Sequence, residues 1–177
     1  CTNMGDSGVA IGFQAATGAT TSTTATVAVG GFSNTGNNDF GTALGSCAKI
    51  TADCSLAVGH AAQACARGAV NIAANPRFSN VGAFGLCSVA IGSTACVAAI
   101  AAEGVAIGAN ARAQGNGVAL GQNSFNGSQC GNIAVGGGAC AGATGGEGAG
   151  VIGYAGRVCA PRSFGIGYVV RICNSGS

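Results

Sequence analysis

The chain has 177 residues, of which 34 are glycine and 10 cysteine, with seven basic and five acidic side chains and no tryptophan. Charged residues at 7%, against about 25% in an ordinary domain, exclude an enzyme with a densely charged surface. A net charge of +2 spread singly over Lys49 and the arginines leaves no basic footprint for nucleic acid.

Disorder is equally unexpected, because a mean hydropathy of +0.46 with so little charge is the reverse of a disordered composition. Glycine does not recur at every third position and only Pro76 and Pro161 occur, so a collagen helix is excluded. Apolar runs such as Val97 to Ala102 stop far short of the ~18 residues that cross a bilayer, so no membrane insertion by this segment is expected. The apolar residues are mostly Ala, Val and Ile, which predicts a thin core of small side chains.

The chain repeats an apolar, small, apolar, glycine unit, first as Val9-Ala10-Ile11-Gly12. Ten more copies follow in order, ending at Gly30, Gly45, Gly59, Ala73, Gly92, Gly108, Gly121, Gly136, Gly153 and Gly167. The period is near 14 to 15 residues, and alternation within each unit is the period-2 mark of a short strand. The closing glycine suits a sharp turn or a positive φ. Small residues then alternate again, as in His60-Ala61-Ala62-Gln63-Ala64 and Asn110-Ala111-Arg112-Ala113, before a second turn.

Two short strands and two turns make one coil of an all-β parallel β-solenoid, or β-roll, of about eleven coils. At about 4.8 Å per coil the rod should be roughly 50 Å long. The whole of residues 1–177 reads as a single repeat domain, with repeats over about 8–167 and an end segment over 168–177. The predicted apolar spine is Val9, Ile11, Val27, Val29, Leu44, Leu56, Val58, Val70, Ile72, Val89, Ile91, Val105, Ile107, Val118, Leu120, Ile133, Val135, Ile152 and Ile166. The two longest intervals predict corner insertions at Thr20 to Thr26 and Asn75 to Phe84, and the loops Thr17 to Thr26, Asn34 to Phe40 and Asn75 to Phe84, with the turns and outer strand, are the expected contact elements. A coil this narrow buries little alone, so a homo-oligomer interface along the rod is expected.

The unit Ser88-Val89-Ala90-Ile91-Gly92-Ser93, with Gly104 to Gly115 after it, resembles the head repeats of YadA-like trimeric autotransporter adhesins. The likeness covers about Gly8 to Gly167. It implies a left-handed parallel β-roll, three copies around one axis, and attachment to a host or matrix surface macromolecule. Viral and phage fibres also use such rolls, so the resemblance bears on architecture more than on biology.

Ten cysteines with no C-x-x-C pair and a single histidine argue against zinc and iron–sulfur sites. Disulfides, and hence an extracellular, cell-surface or virion setting, fit better. Cys159 and Cys173 each follow their unit's glycine by six residues and should stack on neighbouring coils. Cys87 with Cys96, Cys130 with Cys140, and Cys54 with Cys65 each bracket one tetrapeptide and are expected to close a coil across its width, with Cys1 and Cys47 left over. The competing reading makes several of them small buried core residues.

Catalytic residues are not expected. His60 has no acid at a helpful spacing, and Asp6, Asp39, Asp53, Glu103 and Glu147 fall in different coils. No calcium-loop motif occurs, no helix pattern follows Gly136-Gly137-Gly138, and no metal or cofactor is implied. Asn126-Gly127-Ser128 reads as a glycosylation sequon. Thr20, Thr21, Thr23, Thr24 and Thr26 suggest an ice-binding array, but they sit in one insertion rather than coil after coil. The expected function is therefore a non-enzymatic adhesin-like head module. A fibre subunit polymerising end to end is the alternative, and an ice-binding solenoid a minor one.

Overall fold

A computed structural model describes residues 7–17, 25–74, 82–127, 131–142 and 148–173. All eleven tetrapeptides are strands: Val9–Ile11, Val27–Val29, Thr42–Leu44, Leu56–Val58, Val70–Ile72, Val89–Ile91, Val105–Ile107, Val118–Leu120, Ile133–Val135, Gly150–Ile152 and Phe164–Ile166. They form one parallel sheet in chain order. Ala106 lies in register with Ala90 before it and Ala119 after it, so each copy pairs with its equivalent one coil away.

The second strand of each coil builds the opposite wall. Cys96–Val97, Arg112–Ala113, Phe125–Asn126, Cys140–Ala141, Arg157–Val158 and Arg171–Ile172 make a six-stranded sheet, and Lys49–Ile50 pairs with Gln63–Ala64. Single bridges of Ala83 to Ala64 and Val97 join the two pieces. The described residues thus form a parallel β-solenoid with no helix, as the period predicts.

Sharp corners keep the coil narrow. At Gly108 φ is +129°, and a Cβ there would lie 2.6 Å from the carbonyl of Gly121 in the next coil. Only glycine lets consecutive backbones stack so closely at this point. Two residues on, the chain is left-handed in coil after coil, often without glycine: Ala61, Asn110, Asn123 and Ala155 have φ of 54°, 56°, 57° and 50°. The ladder continues through the corner, since the Ala155 N–H donates to the Gly137 carbonyl at 2.8 Å. A left-handed alanine costs about 1–2 kcal/mol, more than the entropy glycine loses on folding. Ala155→Gly should therefore raise stability by about 0.5–1 kcal/mol, seen as a higher denaturant midpoint at constant m-value; a lower midpoint would contradict the strain argument.

The interior is built of alanine. Ala28, Ala43, Ala57, Ala90, Ala106, Ala119 and Ala134 at the middle of the first strands are fully buried, facing Ala64, Ala83, Val97, Ala113 and Ala141 of the second. Among the described residues, Ile50, Val97, Val151 and Val158 are the only aliphatic side chains larger than alanine buried below 2% exposure. Where one enters, its neighbour is small: the space a Cβ on Gly104 would take is held by Val97 Cγ1, at 2.8 Å, and Gly165 faces Val158 and Ile172.

This corrects the predicted spine. Val9, Ile11, Val27, Val29, Leu44, Leu56, Val58, Val70, Ile72, Val89, Ile91, Val105, Ile107, Val118, Leu120, Ile133, Val135, Ile152 and Ile166 all point outward and are half-buried or exposed. The two walls approach too closely for branched side chains at every coil, so the small residue faces in. The flanking residues instead touch their own equivalents along the outer face of the sheet, as cross-strand neighbours do.

Two predicted loops also prove partly structural. Asn34 bridges Ala16 and Lys49, and Thr35 is buried, so the start of Asn34 to Phe40 is the second strand of its coil. The bend after it is closed by Asn38 Nδ2 donating to the Thr35 carbonyl at 2.7 Å. Gly82 to Phe84 likewise enter the ladder through Ala83. Backbone groups inside the stack need partners, which draws these residues into the wall. The rest of Asn75 to Phe84, and 18–24 of the Thr-rich loop, lie outside the described residues.

Candidate functional site

The two-walled coil sorts the side chains onto four outer surfaces. On the first sheet, every outward position except Thr42 and Gly150 is Val, Ile, Leu or Phe. Ile11 and Ile166 are the most open of them, at 60% and 69% exposed. This strip runs the length of the rod. A contiguous apolar strip of about 50 Å exceeds what single chains ordinarily leave to water. At Gly150 the ring of Phe164 occupies the space a side chain would need, so the apolar surface continues. An open cleft of about 200 Å³ beside it is lined by Ile133, Ala149, Arg162 and Phe164.

The second sheet presents a different face. Its outward positions hold Lys49, Arg112, Arg157 and Arg171, with Gln63, Phe125, Cys96 and Cys140 in the same column. Cys65, Cys159 and Cys173 follow the inward residue of their strands and also face out. No acid lies on these strands.

The glycine corner carries short side-chain ladders. Thr94 Oγ1 donates to Asn110 Oδ1, and Asn110 Nδ2 donates to Asn123 Oδ1 at 3.2 Å. Aromatic pairs sit toward either end: Phe13 and Phe32 edge to face at 5.5 Å, Tyr154 and Tyr168 stacked at 5.4 Å. Tyr168 is 77% exposed, so this stack is open to a further partner. His60 is exposed at this corner too.

The far corner collects the described acids. Asp39 and Asp53 lie one coil apart, and the Asp53 Oδ1 accepts the Asp39 N–H at 3.0 Å, a structural use of that carboxylate. Glu103 stands several coils along, and Asp6 and Glu147 lie outside the described residues. No group of three or more His, Cys, Asp and Glu side chains that could hold a metal occurs among the described residues.

The cysteines divide by position. Cys47 turns the glycine corner, while Cys54 and Cys87 turn the far corner, all exposed and with φ near 50–59°. Cys96 and Cys140 are half-buried on the second sheet, where burial raises their thiol pKa. The eight described cysteines are unbridged in this structure, including the expected partners Cys87 and Cys96, and Cys54 and Cys65. Cys87 turns the far corner, whereas Cys96 lies on the second sheet. Cys130 lies outside the described residues, so its pairing with Cys140 is not described. Cys159 and Cys173 do stack on adjacent coils, as the repeat frame predicts.

The sequon does not survive folding as a modification site. Asn126 is fully buried, and its Nδ2 donates to the Asn132 carbonyl at 3.0 Å. Asn132 Oδ1 in turn accepts the Ala149 N–H at 2.8 Å. Inward asparagines are not signalled by the repeat alone, since the outward residue Arg112 and the inward residue Asn126 are both polar; only the strand register separates them.

Comparison with protein-family models, with curated proteins and with solved structures finds no match for this chain. What the fold and surfaces define is a repeat-containing parallel β-solenoid with one apolar outer wall.

Proposed function

We propose that this chain is a non-enzymatic, extracellular adhesin-like head module that works as a homotrimer. One observation carries the reading: the outward face of the first sheet is apolar along the whole rod while the interior behind it is already filled by alanine. The Val, Ile and Leu columns therefore have no work inside the chain, and burying them against other copies removes them from water. Three rods around one axis, as in the adhesin heads the repeats resemble, would hide this wall. The cationic second sheet and both corners then face outward as the surface offered to a host or matrix macromolecule.

The test is the native mass by light scattering, with and without reductant. A discrete trimer under both conditions is the expected result. A monomer would remove the adhesin-head reading.

A second reading, a fibre subunit joined end to end, is favoured by the open face of the tyrosine stack, where Tyr168 is 77% exposed. Filaments growing with concentration in negative stain would select it over a rod of fixed length.

A further inference from the structure

The second sheet places two thiols and two guanidinium groups together on its outer face. Arg157–Val158 pairs in register with Arg171–Ile172, so Cys159 and Cys173, one residue further on, stack on adjacent coils. The Cys159 N–H donates to the Ile172 carbonyl at 2.8 Å, which continues the ladder to this point. In-register parallel neighbours lie about 4.8 Å apart, inside the roughly 4.4–6.8 Å that a disulfide spans between Cα atoms. The Cα spacing is thus within the range that a bridge spans.

The two thiols are not equivalent. Arg157 Nε donates to Cys159 Sγ at 3.2 Å. The exposed Cys173 bonds to Cys159 and Arg171, and these bonds, with the charges of Arg171 and Arg157, hold its thiol below the ordinary range. Cys140, one coil before in the arginine column, is raised by burial despite Arg157. Lys49 and Arg112 are the other charged groups on these strands, and both are basic.

We propose that Cys173 and Cys159 form a thiol–disulfide exchange site for small disulfides, with Cys173 attacking and Cys159 resolving. The Cys173 thiolate attacks one sulfur of the disulfide, forming a mixed disulfide and releasing one thiolate of the reagent. Cys159 then gives up its proton and attacks Cys173 Sγ, and the second reagent thiol leaves. Two protein thiols are oxidised and one small disulfide is reduced to two thiols. Low-molecular-weight thiols drive the same steps in reverse, reopening the staple between the two coils. This inference goes beyond the adhesin reading and does not depend on it.

The reduced full chain is mixed with oxidised glutathione near pH 7, quenched with an alkylating agent at short times and digested with trypsin. Cleavage after Arg157, Arg162 and Arg171 separates Cys159, in Val158–Arg162, from Cys173, in Ile172–Ser177. The first linked product expected is these two peptides joined. Cys159→Ser should leave glutathione on Cys173, and Cys173→Ser should lose the fast product. Both changes are at outward positions, and unchanged strand circular dichroism verifies folding. Replacing Arg157 and Arg171 by Gln should slow Cys173 modification about threefold, because the lost thiolate fraction is partly offset by higher nucleophilicity. Glutathione appearing at equal rates on the exposed Cys47, Cys54 and Cys87 would overturn the proposal, as would a fast phase that persists in Cys173→Ser.

Discussion

Ala106→Leu is expected to lower the melting temperature by roughly 10 °C or leave the chain unfolded, whereas Ile107→Leu, one residue on, should change it little. Ala106 is fully buried between Ala90 and Ala119 in register and belongs to a cluster made almost wholly of alanine. Three added carbons have no cavity to enter. Displacing them outward would spread the two walls, and every neighbouring coil holds the same narrow spacing. Overpacking of this kind costs about 3 kcal/mol, and in a stack there is little slack to relax it. Ile107 is 37% exposed on the outer face, where leucine fits beside Ile91 and Leu120. Thermal melts of the two variants compare the same side chain on opposite faces of one strand. Equal losses would mean that the inward and outward assignments are wrong.

The second large effect concerns assembly. Ile91→Glu combined with Ile107→Glu should turn the proposed trimer into a monomer with the strand circular dichroism of the parent. Both side chains point away from the alanine interior, so the coil itself has no reason to unfold. Around a threefold axis, however, the two changes would place six carboxylates in an apolar seam. Burying unpaired charge there costs several kcal/mol per group, more than the contacts of the strip return. Light scattering reads the outcome as a fall in mass to one third. An unchanged mass would show that the apolar wall is not the interface.

The strands were legible almost without error, because glycine at the end of ten of the eleven units marks the corner and alternation marks the strand. Gly12 through Gly167 give the frame, and every unit it delimits is paired with its neighbour. Cys159 and Cys173 followed from the same frame, since equal offsets from the repeat glycine place residues in one column. Cys87 and Cys96 did not, because offsets of opposite sign lead one to a corner and the other to the second wall, and a linear count carries no direction around the coil. Asn34 and Ala83 were read as loop residues because their segments are long. Their backbone groups nevertheless complete the second wall.

What the residues alone determined is the period, the two strands and two corners of each coil, and the parallel stacking that equal repeats impose. These are local and translational properties, written in spacing. Which face of each strand points inward was decided only in three dimensions. Alternation is symmetric about a sheet, so Val-Ala-Ile is compatible with either face inside. The separation of the walls breaks that symmetry, admitting alanine and turning valine and isoleucine toward solvent or a neighbouring chain. The place of Asn126 in the interior and of Cys173 between Cys159 and two arginines has the same origin, in the register of one coil upon the next.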